Sequence, residues 1–344
     1  MIAFIYKKEE LMVFEDAINS MCRVYGKIYL HGFNSLIATI KQKKPGKFVV
    51  ALDVNELILS AFEKRPGNLW QCTLNGFPFM AKNDIAEDRL HTFISDVKTH
   101  LKASTLYFPL TYVTNHLHEI LMRTPHYSSW DRLPNPIISG DVNSNEIWER
   151  AMLRHKSRAL RQKNKFEKTL RVKTITGTIV RDKIAMVEKK SWKSTYGQDM
   201  LSRENQIEYY SSLIESGSAT VTFAINSLDE PVAFLIDTFM NNVLYIIKWS
   251  YSEEYRKYSP GFYLLCVDMP KRYDGTNVKY IDLYGSPDSL KDLLETNRLE
   301  RMDFCISEDK AQVEQIKAKR MEYDKNSENN HESGRGIRKL FIED

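Results

Sequence analysis

"YRKYSPGFYLL", residues 255–265, stands between a strand-like run, "NVLYIIKWSYS" (242–252), and an apolar pattern of helical period that runs to about Tyr273. Two readings of its Ser-Pro-Gly centre stand. In the first it is a helix start, with Ser259 as N-cap, its hydroxyl taking a first-turn amide, and Pro260 at the first helical position, where no amide bond is lost. In the second it is a loop shaped for an anion. Gly261 has no Cβ, so a bulky anion can approach the backbone. The helix N-terminus offers amides and partial positive charge, and Arg256 and Lys257 precede it.

Outward from this stretch the order is regular. "VKTITG" (172–177) reads as a strand, and "RDKIAMVEKKSWKSTYG" (181–197) and "SRENQIEYYSSLIESG" (202–217) as helices ending at Gly197 and Gly217. "ATVTFAINS", "EPVAFLIDTF" and "NVLYIIKWSYS" read as three strands joined by short turns. After the helix from Ser259 come a strand "VKYIDLYG" (278–285), a helix "SPDSLKDLLET" (286–296) and a strand "LERMDFCISE" (299–308). An antiparallel meander followed by a strand-helix-strand crossover predicts an α/β fold with a mixed sheet.

The first half alternates in the same way. "IAFIY" (2–6) is a strand, 9–26 a helix ended by Gly26, and "FNSLIATIKQ" a helix before the strand Phe48–Ala51. "LWQCTLNGFPFMA" (69–81) reads as a hairpin turning at Asn75-Gly76. A helix over 87–103 leads to the strand "TLYFPL". "RLPNPIISGDVNSN" (132–145) reads as a linker, and Asn145 caps a helix of about 25 residues. On that helix Arg150, Arg154, Arg158, Arg161, Lys165 and Lys168 form one stripe by steps of three and four. It is either a solvated face or a surface for an anionic partner. No aromatics interleave with it, which argues against sequence-specific nucleic-acid binding and excludes DNA as an expected partner.

With 344 residues, 42% of them hydrophobic, the chain suits two domains. Net charge is +4. Cys22, Cys72, Cys266 and Cys305 are far apart and read as thiols in a reducing compartment. The N-terminus shows no long apolar signal region and no run reaches membrane-span length, so a cytoplasmic protein is expected. The His116/His118 pair and His126 lack ligand spacing, so no metal is expected. GxSxG and GxxxxGK[ST] motifs are absent.

Four segments, "SRALRQKNKFEK" (157–168), "VEKKSWKSTYG" (187–197), "KWSYSEEYRKYSPGFYLL" (248–265) and "YIDLYG" (280–285), carry a resemblance to GNAT acyltransferases. More narrowly the chain resembles the CelD/BcsL type, related to Fem-type transferases. "GFNSLIATI", "KFVVALDV" and "TLYFPLTYV" resemble the degenerate first unit of such double-GNAT proteins. The resemblance implies a degenerate unit over 1–135 and a catalytic unit over 172–310, with a linker and basic interdomain helix over 136–171 between them. The polar tail over 311–344 has no counterpart in it, and its Asn, Ser, Glu, His and Gly content reads as partly disordered. The chain departs from the family after Asp282, where Leu283, Tyr284 and Gly285 replace Phe-Gly-x-Gly, and Lys291 stands without a Tyr-Lys pair.

The resemblance implies acetyl-CoA or another acyl-CoA as donor, its pyrophosphate held at Arg256, Lys257, Tyr258, Ser259, Pro260, Gly261 and Phe262. Acyl transfer needs a proton acceptor for the nucleophile and a proton for the thiolate. Asp282 is either that base or a structural hydrogen-bonding group. Lys248 is either a solvated edge residue or a site residue paired with a carboxylate. Tyr251 and Tyr284 are either hydroxyl donors or core. Trp192 is either a core anchor or, with Lys193 and Tyr251, part of an acceptor site in the cleft between units. The implied function is acyl transfer to an amine or hydroxyl, with a sugar or envelope-polysaccharide precursor as acceptor. The alternatives are Fem-like aminoacyl transfer from charged tRNA and an inactive GNAT-like scaffold.

Overall fold

Apolar runs bounded by short polar turns satisfy their backbone amides most simply by pairing with their neighbours. In the computed structural model the runs of the second half do so as β8 (Thr220–Ile225), β9 (Pro231–Met240) and β10 (Val243–Tyr251), antiparallel in sequence order, with β7 (Arg171–Ile175) against β8. The described residues are 1–332 without 27–28, 83, 114–115, 141, 154–155, 196, 198 and 286–289, and without the side chains of 116, 158, 192, 195 and 326–332. The chain packs as two compact units, 1–135 with 299–330, and a second built on 136–298.

The second unit orders its strands β6-β11-β10-β9-β8-β7. β11 (Tyr280–Asp282) is parallel to β10, and the end of β6 (Tyr127–Ser139) pairs antiparallel with β11. Its helices are α6 (Ser144–Met152), α7 (Lys156–Thr169), α8 (Arg181–Lys189), α9 (Trp192–Thr195), α10 (Gln206–Glu215), α11 (Pro260–Tyr263), α12 (Met269–Tyr273) and α13 (Lys291–Leu294). A π-helical stretch, Leu264–Asp268, joins α11 to α12, so the crossover helix runs from Pro260 to Tyr273 as the sequence predicts. Ile147, Phe166, Leu244, Ile246, Phe262 and Leu265 share one core under α6, α7 and this crossover helix.

The first unit uses the same strand plan. β1 (Ala3–Ile5), β2 (Phe48–Asp53), β3 (Ile58–Arg65) and β4 (Leu69–Cys72) are antiparallel in sequence order. β5 (Thr105–Tyr112) is parallel to β4, and β12 (Asn297–Ser307) pairs antiparallel with β5. The sixth strand of the first unit is thus the last strand of the chain, while the sixth strand of the second comes from the end of β6. The first unit's helices are α1 (Lys8–Met12), α2 (Glu15–Tyr25), α3 (Phe33–Gln42), α4 (Glu87–His100), α5 (His116–Met122) and α14 (Lys310–Glu332).

Several local expectations change. The stretch read as a linker is strand through Ser139. Its prolines do not prevent this, because Leu133 and Pro134 carbonyls accept from the Arg301 guanidinium at 2.8 and 3.3 Å and the Pro136 carbonyl accepts from Leu283 N at 3.2 Å. Gly140 then passes so near the start of β11 that a Cβ would lie 1.7 Å from the Val278 carbonyl oxygen. The hairpin turn is Pro66-Gly67-Asn68 between β3 and β4, not Asn75-Gly76. The cap before α6 is Asn143, whose side chain accepts from Asn145 N and Glu146 N at 3.0 and 3.1 Å, and the expected long helix is two, α6 and α7. The helix expected over 9–26 is likewise two, α1 and α2. Of the polar tail, residues 310–332 form α14, and 333–344 lie outside the described residues.

A buried ionic network holds α14 in the first unit. Arg132, its side chain 2% exposed, donates to both carboxylate oxygens of Asp324 on α14, at 2.5 and 2.7 Å, and to Asp303 at 2.5 Å. Asp303 also accepts from the Tyr107 hydroxyl and Leu110 N, and Arg320 lies 3.3 Å away. Burial, with the Asp303 charge adding, drives the Tyr107 hydroxyl far above its ordinary range.

Candidate active site

The parallel pairing of β10 with β11 covers Val243–Tyr245 against Tyr280–Asp282. Beyond it β10 continues to Tyr251 while β11 ends, so the two strands part at Asp282. A β-bulge between Ile246 and Lys248 lies at the same level. A bulge adds a residue to one strand and moves every later side chain to the other face. Leu244 and Ile246 therefore share a core face with Trp249 and Tyr251 rather than with Lys248. Lys248 is turned to the face of α8 and α10, where its ammonium donates to Gln206 Oε1 at 3.4 Å.

Trp249 is the meeting point of the site. The Lys193 ammonium donates to its carbonyl at 2.5 Å. The Lys291 ammonium lies 5.3 Å from its ring centroid and donates to the Tyr284 carbonyl at 3.1 Å. A Cβ on Gly261 would stand 3.9 Å from its Cδ1 and 3.4 Å from Tyr251 Cδ1. Asp282, fully buried, accepts from Tyr284 N at 2.8 Å. That bond helps hold Tyr284 at φ 38°, a left-handed conformation that costs a non-glycine residue about 1–3 kcal/mol.

The 255–265 stretch differs in detail from a simple capped helix. Glu253–Tyr258 is a 3₁₀ turn, and Ser259 follows at φ 47° with a buried side chain that makes no capping bond. Its amide instead closes the turn on the Arg256 carbonyl at 2.8 Å. Pro260 occupies the first helical position as predicted. Arg256 is paired with Glu253 at 3.1 Å, while exposed Lys257 lies 5.1 Å from the Tyr258 ring centroid. Pro260, Gly261 and Phe262 are buried, Phe262 with its ring 6.1 Å from that of Trp148. α7 packs beside this turn through the stacked rings of Phe166 and Tyr263, 3.7 Å apart. The same helix carries an open groove lined by Ser157, Leu160, Arg161, Asn164, Lys165 and Lys168.

Residues 149–292, which include the parted strands, the turn and the lysines, match the family model described as an acetyltransferase (GNAT) domain. That segment, and not the chain as a whole, is the GNAT-type acetyltransferase domain. No curated protein matches the chain in sequence. Among solved structures, its fold is similar to the C-terminal domain (DUF2156) of a putative lysylphosphatidylglycerol synthetase from Agrobacterium fabrum, at 9% identity and TM-score 0.60, over 90% of this chain and 96% of that one. It is similar to L-PGS from Bacillus licheniformis, at 12% identity and TM-score 0.59, over 87% and 92%. It is also similar to FemX, at 12% identity and TM-score 0.61, over 91% and 99%. At these identities the likeness is one of fold.

Within the GNAT domain the structure brings Asp282, Tyr284, Lys193, Lys248, Tyr251 and Gly261 to the parted strands. Arg256 and Lys257 stay on the outer side of the turn, and the side chain of Trp192 lies outside the described residues. Burial raises the Tyr251 hydroxyl to about 12, with Glu253 adding and Arg256 opposing, so it stays protonated at neutral pH. Burial lowers Lys193 to about 7, with the charges of Lys248, Lys291 and Arg203 adding and Glu188 opposing. Lys248 is lowered by burial too, opposed by Glu188 and Asp199 and reinforced by Arg203. Two residues escaped the sequence reading. Trp249 was visible only as one more strand aromatic. Glu188 falls four residues after Ile184 on the buried stripe of α8, and a carboxylate on an apolar stripe was the available signal. Among the described residues no helix is long and apolar enough to cross a membrane, and no group of three His, Cys, Asp or Glu could hold a metal.

Proposed function

We propose that the GNAT domain moves an acyl group from acetyl-CoA or another acyl-CoA to an amine or hydroxyl, with a sugar or envelope-polysaccharide precursor as acceptor, as the CelD/BcsL resemblance implies. The observation that carries this reading is the convergence of Lys193, Lys291 and Gly261 on Trp249, at the point where β10 and β11 part. A parted parallel pair leaves backbone on β10 beyond the ladder with β11, a place for an extended ligand tail. The turn at 256–262 stands at its end, where Gly261 leaves room in front of Tyr251 and Trp249. Bound acyl-CoA supplies an electrophilic thioester carbon. Asp282, at the apex of the gap, takes the proton of the attacking nucleophile, and Tyr251 or Tyr284 returns one to the departing thiolate.

Gly261 tests the donor site. An alanine meets only ordinary contacts, so Gly261→Ala should leave CoA affinity within about twofold. The γ-methyls of Gly261→Val press on Tyr251 and Trp249, and overpacking of about 1–3 kcal/mol should weaken CoA binding by roughly tenfold or more. Calorimetry with acetyl-CoA reads both. Absence of CoA binding by the unaltered protein would sink the donor assignment.

The groove on α7 favours a second reading, aminoacyl transfer from charged tRNA. It predicts tRNA binding that weakens steeply with salt, and a flatter salt dependence in Lys165→Glu/Lys168→Glu, by roughly one unit of slope for each phosphate no longer neutralised. Filter binding across a salt series decides it, since the acyl-CoA reading predicts no such binding.

A further inference from the structure

On the face of β10 toward α8 and α10, two lysine ammonium groups converge with little to satisfy them. Lys193 donates to the Trp249 carbonyl at 2.5 Å and Lys248 to Gln206 Oε1 at 3.4 Å. Both partners are neutral, and each ammonium carries three donors. Among the described residues neither lysine has an ion-pair partner. Glu188 lies behind them, wholly buried on α8, with Oε2 accepting from Met200 N at 2.7 Å and Oε1 buried without a partner. Its charge acts on both lysines. Both lysines are only half-buried, so the face remains reachable from solvent.

A half-buried surplus of cationic donors is complementary to an anion, and charge-assisted hydrogen bonds from two ammonium groups are the strong kind. We infer that Lys193 and Lys248 hold an anionic group of the acceptor, a carboxylate or a phosphate borne near the amine or hydroxyl that is acylated. This rests on the acyl-transfer reading of the same domain and narrows its acceptor class. The Glu188 charge favours the cationic form of both lysines, in part offsetting the burial that disfavours it.

The pH dependence has a definite sign. The groups facing Lys193 are Lys248, Glu188, Lys291 and Arg203, and those facing Lys248 are Lys193, Glu188, Arg203 and Asp199. Lys193 is a cation below about 7 and neutral above it, so affinity for an anionic acceptor falls as pH rises through 7.

The test compares glucosamine, glucosamine 6-phosphate and the matching amino-sugar uronic acid by calorimetry at pH 6 and 8.5. At pH 6 at least one charged sugar should bind about tenfold tighter than glucosamine, and their ranking tells phosphate from carboxylate. The preference should shrink at pH 8.5 and vanish in Lys193→Met/Lys248→Met. A glutamine pair repeats the measurement if the methionine variant has lost its melting transition. Equal binding of all three sugars to the unaltered protein, or binding of none, overturns the inference, as does a preference that survives the double substitution. An acetyl-CoA titration of the same sample reads the donor site separately. Its failure would sink the acyl-CoA reading and leave the sugar comparison intact.

Discussion

Arg132→Met is expected to destabilise the first unit by about 3–5 kcal/mol and to expose α14 to protease. The reason is electrostatic rather than steric. Arg132 bridges Asp303, whose side chain is 0% exposed, and Asp324 on α14. Methionine fills similar volume but leaves the buried Asp303 charge with Arg320, at 3.3 Å, as its cation among the described residues, beside the neutral donors Tyr107 and Leu110 N. Arg132→Lys should recover little, because one ammonium cannot replace the two-pronged contact with Asp324. Replacing Arg132, Asp303 and Asp324 together with apolar residues should recover most of the loss, since no buried charge then stands unpaired. Urea melts of the three variants, read with limited proteolysis, check the ordering. A single Arg132→Met as stable as the native chain would show that the network contributes nothing net.

Asp282→Asn is expected to lower turnover by about 10²–10⁴-fold with CoA affinity little changed. Asparagine keeps a carbonyl oxygen that still accepts from Tyr284 N, now 2.8 Å from Asp282 Oδ1. The turn that places Tyr284, Gly285 and Lys291 therefore survives, and only the capacity to take a proton is lost. That separates the two roles open to this buried carboxylate. If turnover is unchanged, Asp282 is a structural acceptor. If CoA affinity and melting temperature fall with it, the loss is one of fold.

The strands β8, β9 and β10 and the helix beginning at Pro260 were legible because each is an apolar run closed by turn residues, and such signals are local. β6 was not legible. Its Pro134 and Pro136 mark a loop to any local reading, and its strand character depends on partners about 145 to 168 residues away in sequence. The helix α14 was hidden for a related reason, since its sequence is polar apart from a short apolar contact at Val313 and Ile316, and it is also held by a buried ion pair to Arg132.

The site divides along the same line. By itself the sequence determined that a turn with Pro260 and Gly261 opens the crossover helix after a lysine-bearing strand, and that Asp282 lies on the next one, whose end at Asp282 only the structure shows. Tertiary structure alone decided which way those side chains face. Strict alternation along β10 puts Lys248 with Leu244 and Ile246, in the core shared with α6 and α7. The bulge after Ile246 reverses this, sending Lys248 to Lys193 and Glu188 and leaving Trp249 to gather Gly261 and Lys291. A strand's period of two is a local property, but the extra residue that shifts its phase is fixed by pairing with β9, which no single strand's sequence contains.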